Sequence, residues 1–121
     1  MNEKNFADGA YYSKLSKQAE ESENVGNEIK KKLKEARIIA VEMEKELIEI
    51  QSDNKFARAE GYEETSQEVI DRLKQDLAEV QGQIEKMENM SETVSGQTEK
   101  LKELEARANK VLLDFSTEKK N

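Results

Sequence analysis

The residues most able to do chemistry in this chain are its carboxylates. Adjacent or near-adjacent pairs stand at Glu20-Glu21, at Glu63-Glu64 and at Glu103 with Glu105. Two carboxylates side by side can divide acid and base roles, but only if burial or a close partner drives their proton affinities apart. The sequence places these carboxylates on solvated helix faces, except Glu105, which falls at a seam position opposite Leu15. Inward Glu residues with a Glu-x-x-His motif hold metal ions in di-iron helical bundles. This chain has no His and no Cys. The commonest general base, the commonest imidazole ligand and all thiol chemistry are therefore missing. Gly82 and Gly96 stand singly on a helical pattern and make no phosphate-cradling loop. The sequence thus predicts no catalytic residue, no cofactor and no metal site, and a protein that is not an enzyme.

Charge narrows the partners. The formal net charge is −7, which speaks against nucleic acid, whose binding rests on neutralising phosphates. The basic run Lys30-Lys31-Lys32-Leu33-Lys34 is offset by the acidic stretch from Glu42 to Glu49 and reads as a solvated helix face. No apolar run approaches the ~20 residues of a membrane span. The first twenty residues mix Asn, Glu, Lys, Asp and Ser instead of the pattern of a secretion signal. These features predict a cytoplasmic chain with no direct membrane insertion.

The elements that carry these residues are legible in composition and period. Charged residues make up 39% and aromatics 5%, and no Pro is present to stop a helix. In the first half, Leu15, Ala19, Ser22, Gly26, Ile29, Leu33, Ala36, Ala40, Met43, Leu47, Ile50, Asn54 and Ala57 follow one another in alternating steps of four and three. That spacing is the inner seam of a heptad repeat. The second half repeats it through Ser66, Ile70, Leu73, Leu77, Val80, Ile84, Met87, Ser91, Val94, Thr98, Leu101, Glu105, Ala108, Leu112 and Phe115. From Ala57 to Ser66 is nine residues, which neither a three-residue nor a four-residue insertion explains. The break contains Gly61, and Thr65-Ser66-Gln67-Glu68 has the spacing of a capping box.

Two similar helices about a central break predict an all-α fold: a long antiparallel helical hairpin forming a coiled coil in a single domain over residues 1–121. Helix 1 is expected over about 10–58, the turn over about 59–64 and helix 2 over about 65–117. The hairpin can pair into a four-helix bundle. The alternative is an antiparallel dimer of continuous helices, which makes the same layers. In an antiparallel pair the facing residue numbers have a constant sum, and a turn centred on residue 60 requires 120. The layers then include Ser22 with Thr98, Gly26 with Val94, Leu33 with Met87, Ala36 with Ile84, and Ala40 with Val80. Nearer the turn come Met43 with Leu77, Leu47 with Leu73, Ile50 with Ile70, and Asn54 with Ser66, while Ala19 meets Leu101 toward the termini. Small faces large and polar faces polar, as interdigitated cores prefer. Sums of 113 and 127 also satisfy the period, but only 120 centres the turn beside Gly61. Phe56 and Tyr62 should flank the turn, and Phe6, Tyr11 and Tyr12 should meet Phe115 at the far end.

A two-stranded seam leaves apolar residues over. Ile38, Ile39, Val41 and Ile48 lie off it in helix 1, and Val69, Met90, Leu104 and Val111 lie beside it in helix 2. A bundle helix carries such a wider apolar face, and four aliphatics within eleven residues mark a docking surface. The candidate interaction face is therefore Ile38, Ile39, Val41, Ile48, Val69 and Met90, for a second copy or for a partner protein's helix.

The stretch Val94, Gln97, Leu101, Leu104, Ala108, Val111 and Phe115 resembles the second half of a SNARE motif, with Gln97 at the central layer. Upstream, Gln83 and Asp76 fall at layer positions, and in helix 1 Met43 holds the central layer, where the family expects Gln or Arg. The resemblance implies a membrane-fusion coil whose helices open to join partner helices. The function read from the residues themselves is a non-catalytic scaffold or adaptor acting by helix–helix association. A phage or bacterial regulator that docks a helix into a partner's groove is a further alternative.

Overall fold

A computed structural model describes residues 9–120, with side chains described through Phe115. Phe6, expected to pack against Phe115, lies outside the described residues. The chain is an all-α hairpin. Helix α1 runs Ala10–Glu60 (51 residues) and α2 runs Gln67–Lys120 (54 residues), and the two pack against each other. The connection is residues 61–66, so the chain turns back instead of continuing as one helix. Contacts divide it into two units: residues 30–89, which hold the turn, and the described parts of 1–29 with 90–121.

The turn is built from the sequence around Gly61. Its φ of 77° lies in the left-handed region that only Gly enters without cost. With Gly61 there, Tyr62 N–H donates to the Ala57 carbonyl at 2.8 Å. This is the six-residue closure of a Schellman cap, which satisfies a carbonyl that α1 would leave bare. The apolar contact typical of that cap is present too: the Phe56 and Tyr62 rings stack with centroids 6.2 Å apart. Arg58 donates to Glu64 through Nε at 3.0 Å and Nη2 at 2.8 Å.

Asn54 completes the reversal. It is buried in α1, donates from Nδ2 to the Thr65 carbonyl at 2.9 Å, and accepts from the Thr65 N–H at 2.7 Å. One side chain therefore satisfies both backbone groups of a loop residue. The expected Asn54–Ser66 layer is not formed, because Ser66 is exposed and serves α2 as its N-cap. Its Oγ accepts from Val69 N–H at 3.4 Å and its carbonyl from Ile70 N–H at 3.2 Å. The cap is thus Ser66, one residue later than the Thr65-to-Glu68 box predicts.

In the unit holding the turn, the alternating spacing is observed as alternating burial. Leu33, Ala40, Ala57 and Ile70 are buried; Ala36, Met43, Leu47, Ile50, Leu73, Leu77, Val80, Ile84 and Met87 are half-buried. In the other unit Leu15, Ala19 and Ala108 are buried, with Ile29, Val94, Leu101 and Leu112 half-buried. Two contacts there report the register directly. Ser22 and Thr98 hydroxyls lie 2.6 Å apart, and a Cβ placed on Gly26 would meet Val94 Cγ1 at 3.4 Å. Both pairs satisfy the sum of 120. Thr98 Oγ1 donates to the Val94 carbonyl at 2.9 Å, so its single proton is engaged and Ser22 is the donor across the seam. Phe115, assigned to the seam by spacing, is 39% exposed. The seam is narrow, and among the described residues no large side chain is fully buried.

Replacing Asn54 by Ala should leave the Thr65 N–H and carbonyl unpaired beside the seam. The expected loss is about 2 kcal/mol of folding stability, read from urea unfolding. An unchanged midpoint would show that water replaces the clamp without cost.

Candidate docking face

The seam-facing side of each helix is engaged, so the surfaces left for function are the flanks and the outer faces. Their geometry follows from the helical rotation of about 100° per residue. The residue just after every second seam position, the series that includes Ala36, Met43, Val80 and Met87, turns to one flank. Arg37 follows Ala36, Glu88 follows Met87, Glu44 follows Met43 and Gln81 follows Val80. Arg37 Nη2 donates to Glu88 Oε1 at 3.1 Å, and Gln81 Nε2 donates to Glu44 Oε1 at 3.2 Å. In the other unit Lys102 Nζ and Glu23 Oε2, at the equivalent positions, are 3.4 Å apart. This flank is closed by polar pairs. All are exposed, so each stabilises by about 1 kcal/mol or less, and their effect is on register and partner choice.

The opposite flank carries residues that precede a seam position. Ile39 is 50% exposed and Val69 is 47% exposed. Val69 lines a shallow hollow with Glu68, Asp71, Arg72 and Gln75. Met90, 54% exposed, takes the same kind of position in the other unit. There two adjoining hollows share Gln18 and Leu101; Tyr11 and Leu104 line one, Val25 and Gln97 the other.

The third surface is the outer face of α1. Ile38 stands two residues from both Ala36 and Ala40, about 200° around the helix from each. Val41 and Ile48 lie on the same strip, at steps of three and seven. Ile38, Val41 and Ile48 are 52%, 49% and 65% exposed. The six residues expected to form one interaction face therefore occupy two kinds of surface. Ile38, Val41 and Ile48 share the outer strip, while Ile39, Val69 and Met90 lie on flanks. Ile38 and Ile39 are neighbours in sequence but stand about 100° apart around the helix.

The candidate carboxylates stay where the sequence puts them. Glu20, Glu21, Glu63, Glu64 and Glu103 are exposed, Glu64 held by Arg58, and Glu105 is half-buried at its seam position. Among the described residues no group of three or more acidic side chains is placed to hold a metal ion, and no helix is long and apolar enough to cross a membrane. What spacing did not assign is the structural role of Asn54 as a clamp on the Thr65 backbone. Its signal was present, as an Asn on the seam one turn before the break, but a seam polar residue reads first as a layer partner.

Replacing Gly96 by Ala should raise helix stability by about 1 kcal/mol, because an added methyl there meets nothing within 4 Å. Gly26 to Ala should gain less, since its methyl presses on Val94. Equal melting temperatures for the two variants would contradict the close approach at Gly26. No protein-family model, no curated protein and no solved structure matches the chain, so its likeness to the SNARE motif rests on the residues from Val94 to Phe115 alone.

Proposed function

We propose that the protein is a non-catalytic coiled-coil interaction module, a scaffold or adaptor of the cytoplasm that works by helix–helix association. The observation that carries this reading is the outer strip of α1. Ile38, Val41 and Ile48 are each about half exposed or more on a helix whose inner face already has its partner. Single exposed aliphatics need no explanation. Three on one strip form an apolar patch rimmed by charge, the usual mark of a protein-binding surface. Helix-in-groove recognition reads such positions at steps of three, four and seven.

The composition supports the same reading. Acidic balance, absence of His and Cys, and exposed carboxylates leave helical surface as the chain's main resource. Homo-oligomers are the simplest outcome.

Changing Ile39 and Ile48 together to Lys should weaken association by roughly 2 kcal/mol, or about thirtyfold, while the helical circular dichroism signal stays near that of the native chain. Sedimentation velocity over a concentration series reads the first quantity. Association equal to the native chain would sink the reading. So would a collapse of helicity, which would place these residues in the hairpin's own core.

A further inference from the structure

The two units of the hairpin carry seams of different composition. Counted by the sum of 120, the unit of residues 30–89 sets Leu33 against Met87, Met43 against Leu77, Leu47 against Leu73 and Ile50 against Ile70. The layers between them are Ala36 with Ile84 and Ala40 with Val80. From Leu33 to Ile50 no layer contains a polar residue, a charge or a glycine.

The other unit is built differently. Ser22 faces Thr98 with hydroxyls 2.6 Å apart, and Gly26 faces Val94. The same sum sets Ile29 against Ser91, Ala19 against Leu101 and Leu15 against Glu105. Each of these layers holds a hydroxyl, a carboxylate, a glycine or an alanine, and none pairs two large aliphatics. Leu15, Ala19 and Thr98 are buried, so the layers close, but each removes little apolar area from water.

Stabilisation follows that area, so this seam is the weaker one. The Ser22–Thr98 hydrogen bond replaces bonds that both hydroxyls make to water, and its net gain is small. Gly26 inside a helix costs stability. Glu105, half-buried opposite Leu15, loses hydration when the layer closes.

We infer that residues 15–29 with 91–112 open together, as one step, while the unit holding the turn stays closed. Proteins open locally in cooperative pieces of unequal stability, and the contacts within this chain divide it at the same place. Opening changes what the chain offers to a partner. Leu104 and Val111 are already 40% and 44% exposed on α2, beside the seam residues Leu101, Ala108 and Leu112. When α1 parts from them, both sets become one apolar face, edged by Thr98 and Glu105. A helix that binds this face favours the open state, while the turn unit keeps the two helices joined.

The test is amide hydrogen exchange by NMR on the full chain in low urea, at a concentration where light scattering shows monomer. Slowly exchanging amides of residues 15–29 and 91–112 should share one opening free energy. Those of residues 33–57 and 70–87 should exchange roughly a hundredfold more slowly. Leu47→Ala should speed exchange in the turn unit by roughly tenfold or more and leave the other unit at its native rate. Glu105→Leu gives Leu15 an aliphatic partner and should slow exchange across residues 15–29 and 91–112 by roughly tenfold. It removes no apolar contact, so it keeps the test decisive if Leu47→Ala does not fold.

One exchange level throughout the chain overturns the inference. So does protection that climbs steadily inward from Leu15 and Leu112, which is ordinary fraying. Equal acceleration of both units by Leu47→Ala, or no slowing by Glu105→Leu, overturns it as well. The opening is a property of a single chain, so failure to associate counts against the interaction reading and leaves this one standing.

Discussion

At Gly61 the backbone crosses into the left-handed region, and the register of the seam around the turn depends on that step. The positive φ lets Tyr62 N–H reach back to the Ala57 carbonyl and brings the Tyr62 ring onto Phe56. A helix can end in many ways, but this closure sets the direction in which the chain leaves. Asn54 then holds Thr65 by both backbone groups, which sets where α2 begins. A side chain with one donor pair and one acceptor can do this without leaving either loop group bare. Cap and clamp together determine which residues of the two helices meet, and with period seven a different register would have been equally compatible with the apolar spacing.

Once the register is set, a two-helix seam divides the surface by rotation. One flank is closed by Arg37 with Glu88 and Glu44 with Gln81. The other holds Ile39 and Val69, the latter beside Glu68, Asp71, Arg72 and Gln75. The outer faces receive nothing from the partner helix, because each helix buries only a narrow stripe. Two helices alone cannot cover a third apolar strip, and this is why Ile38, Val41 and Ile48 stand half-exposed. The proposed function follows from that incompleteness: the chain holds more apolar surface than its own fold can use.

Both outer faces are mixed in charge: Lys31, Lys34 and Lys45 stand with Glu35, Glu42 and Glu49 on α1, and Glu68, Asp71 and Glu85 with Arg72 and Lys86 on α2. Charge here carries specificity more than strength. Exposed pairs contribute little free energy singly, while mismatched like charges exclude wrong partners.

The helical class, the hairpin and the antiparallel register were legible in the sequence because they rest on period and on one phase break at Gly61. Alternating steps of four and three place residues on one side of a helix whatever surrounds it, and nine residues between Ala57 and Ser66 cannot be absorbed by a continuous seam. Ser22 opposite Thr98 and Gly26 opposite Val94 follow from that arithmetic. The tertiary structure alone decided what the ends of the helices do. Period cannot tell whether Thr65 or Ser66 caps α2, or whether Asn54 meets a side chain or a loop backbone, because those outcomes depend on atoms brought together by the reversal. It also decided that the six candidate interaction residues lie on separate surfaces. A one-residue difference, Ile38 against Ile39, turns a side chain by about 100°, and only the position of the second helix determines which direction is outward.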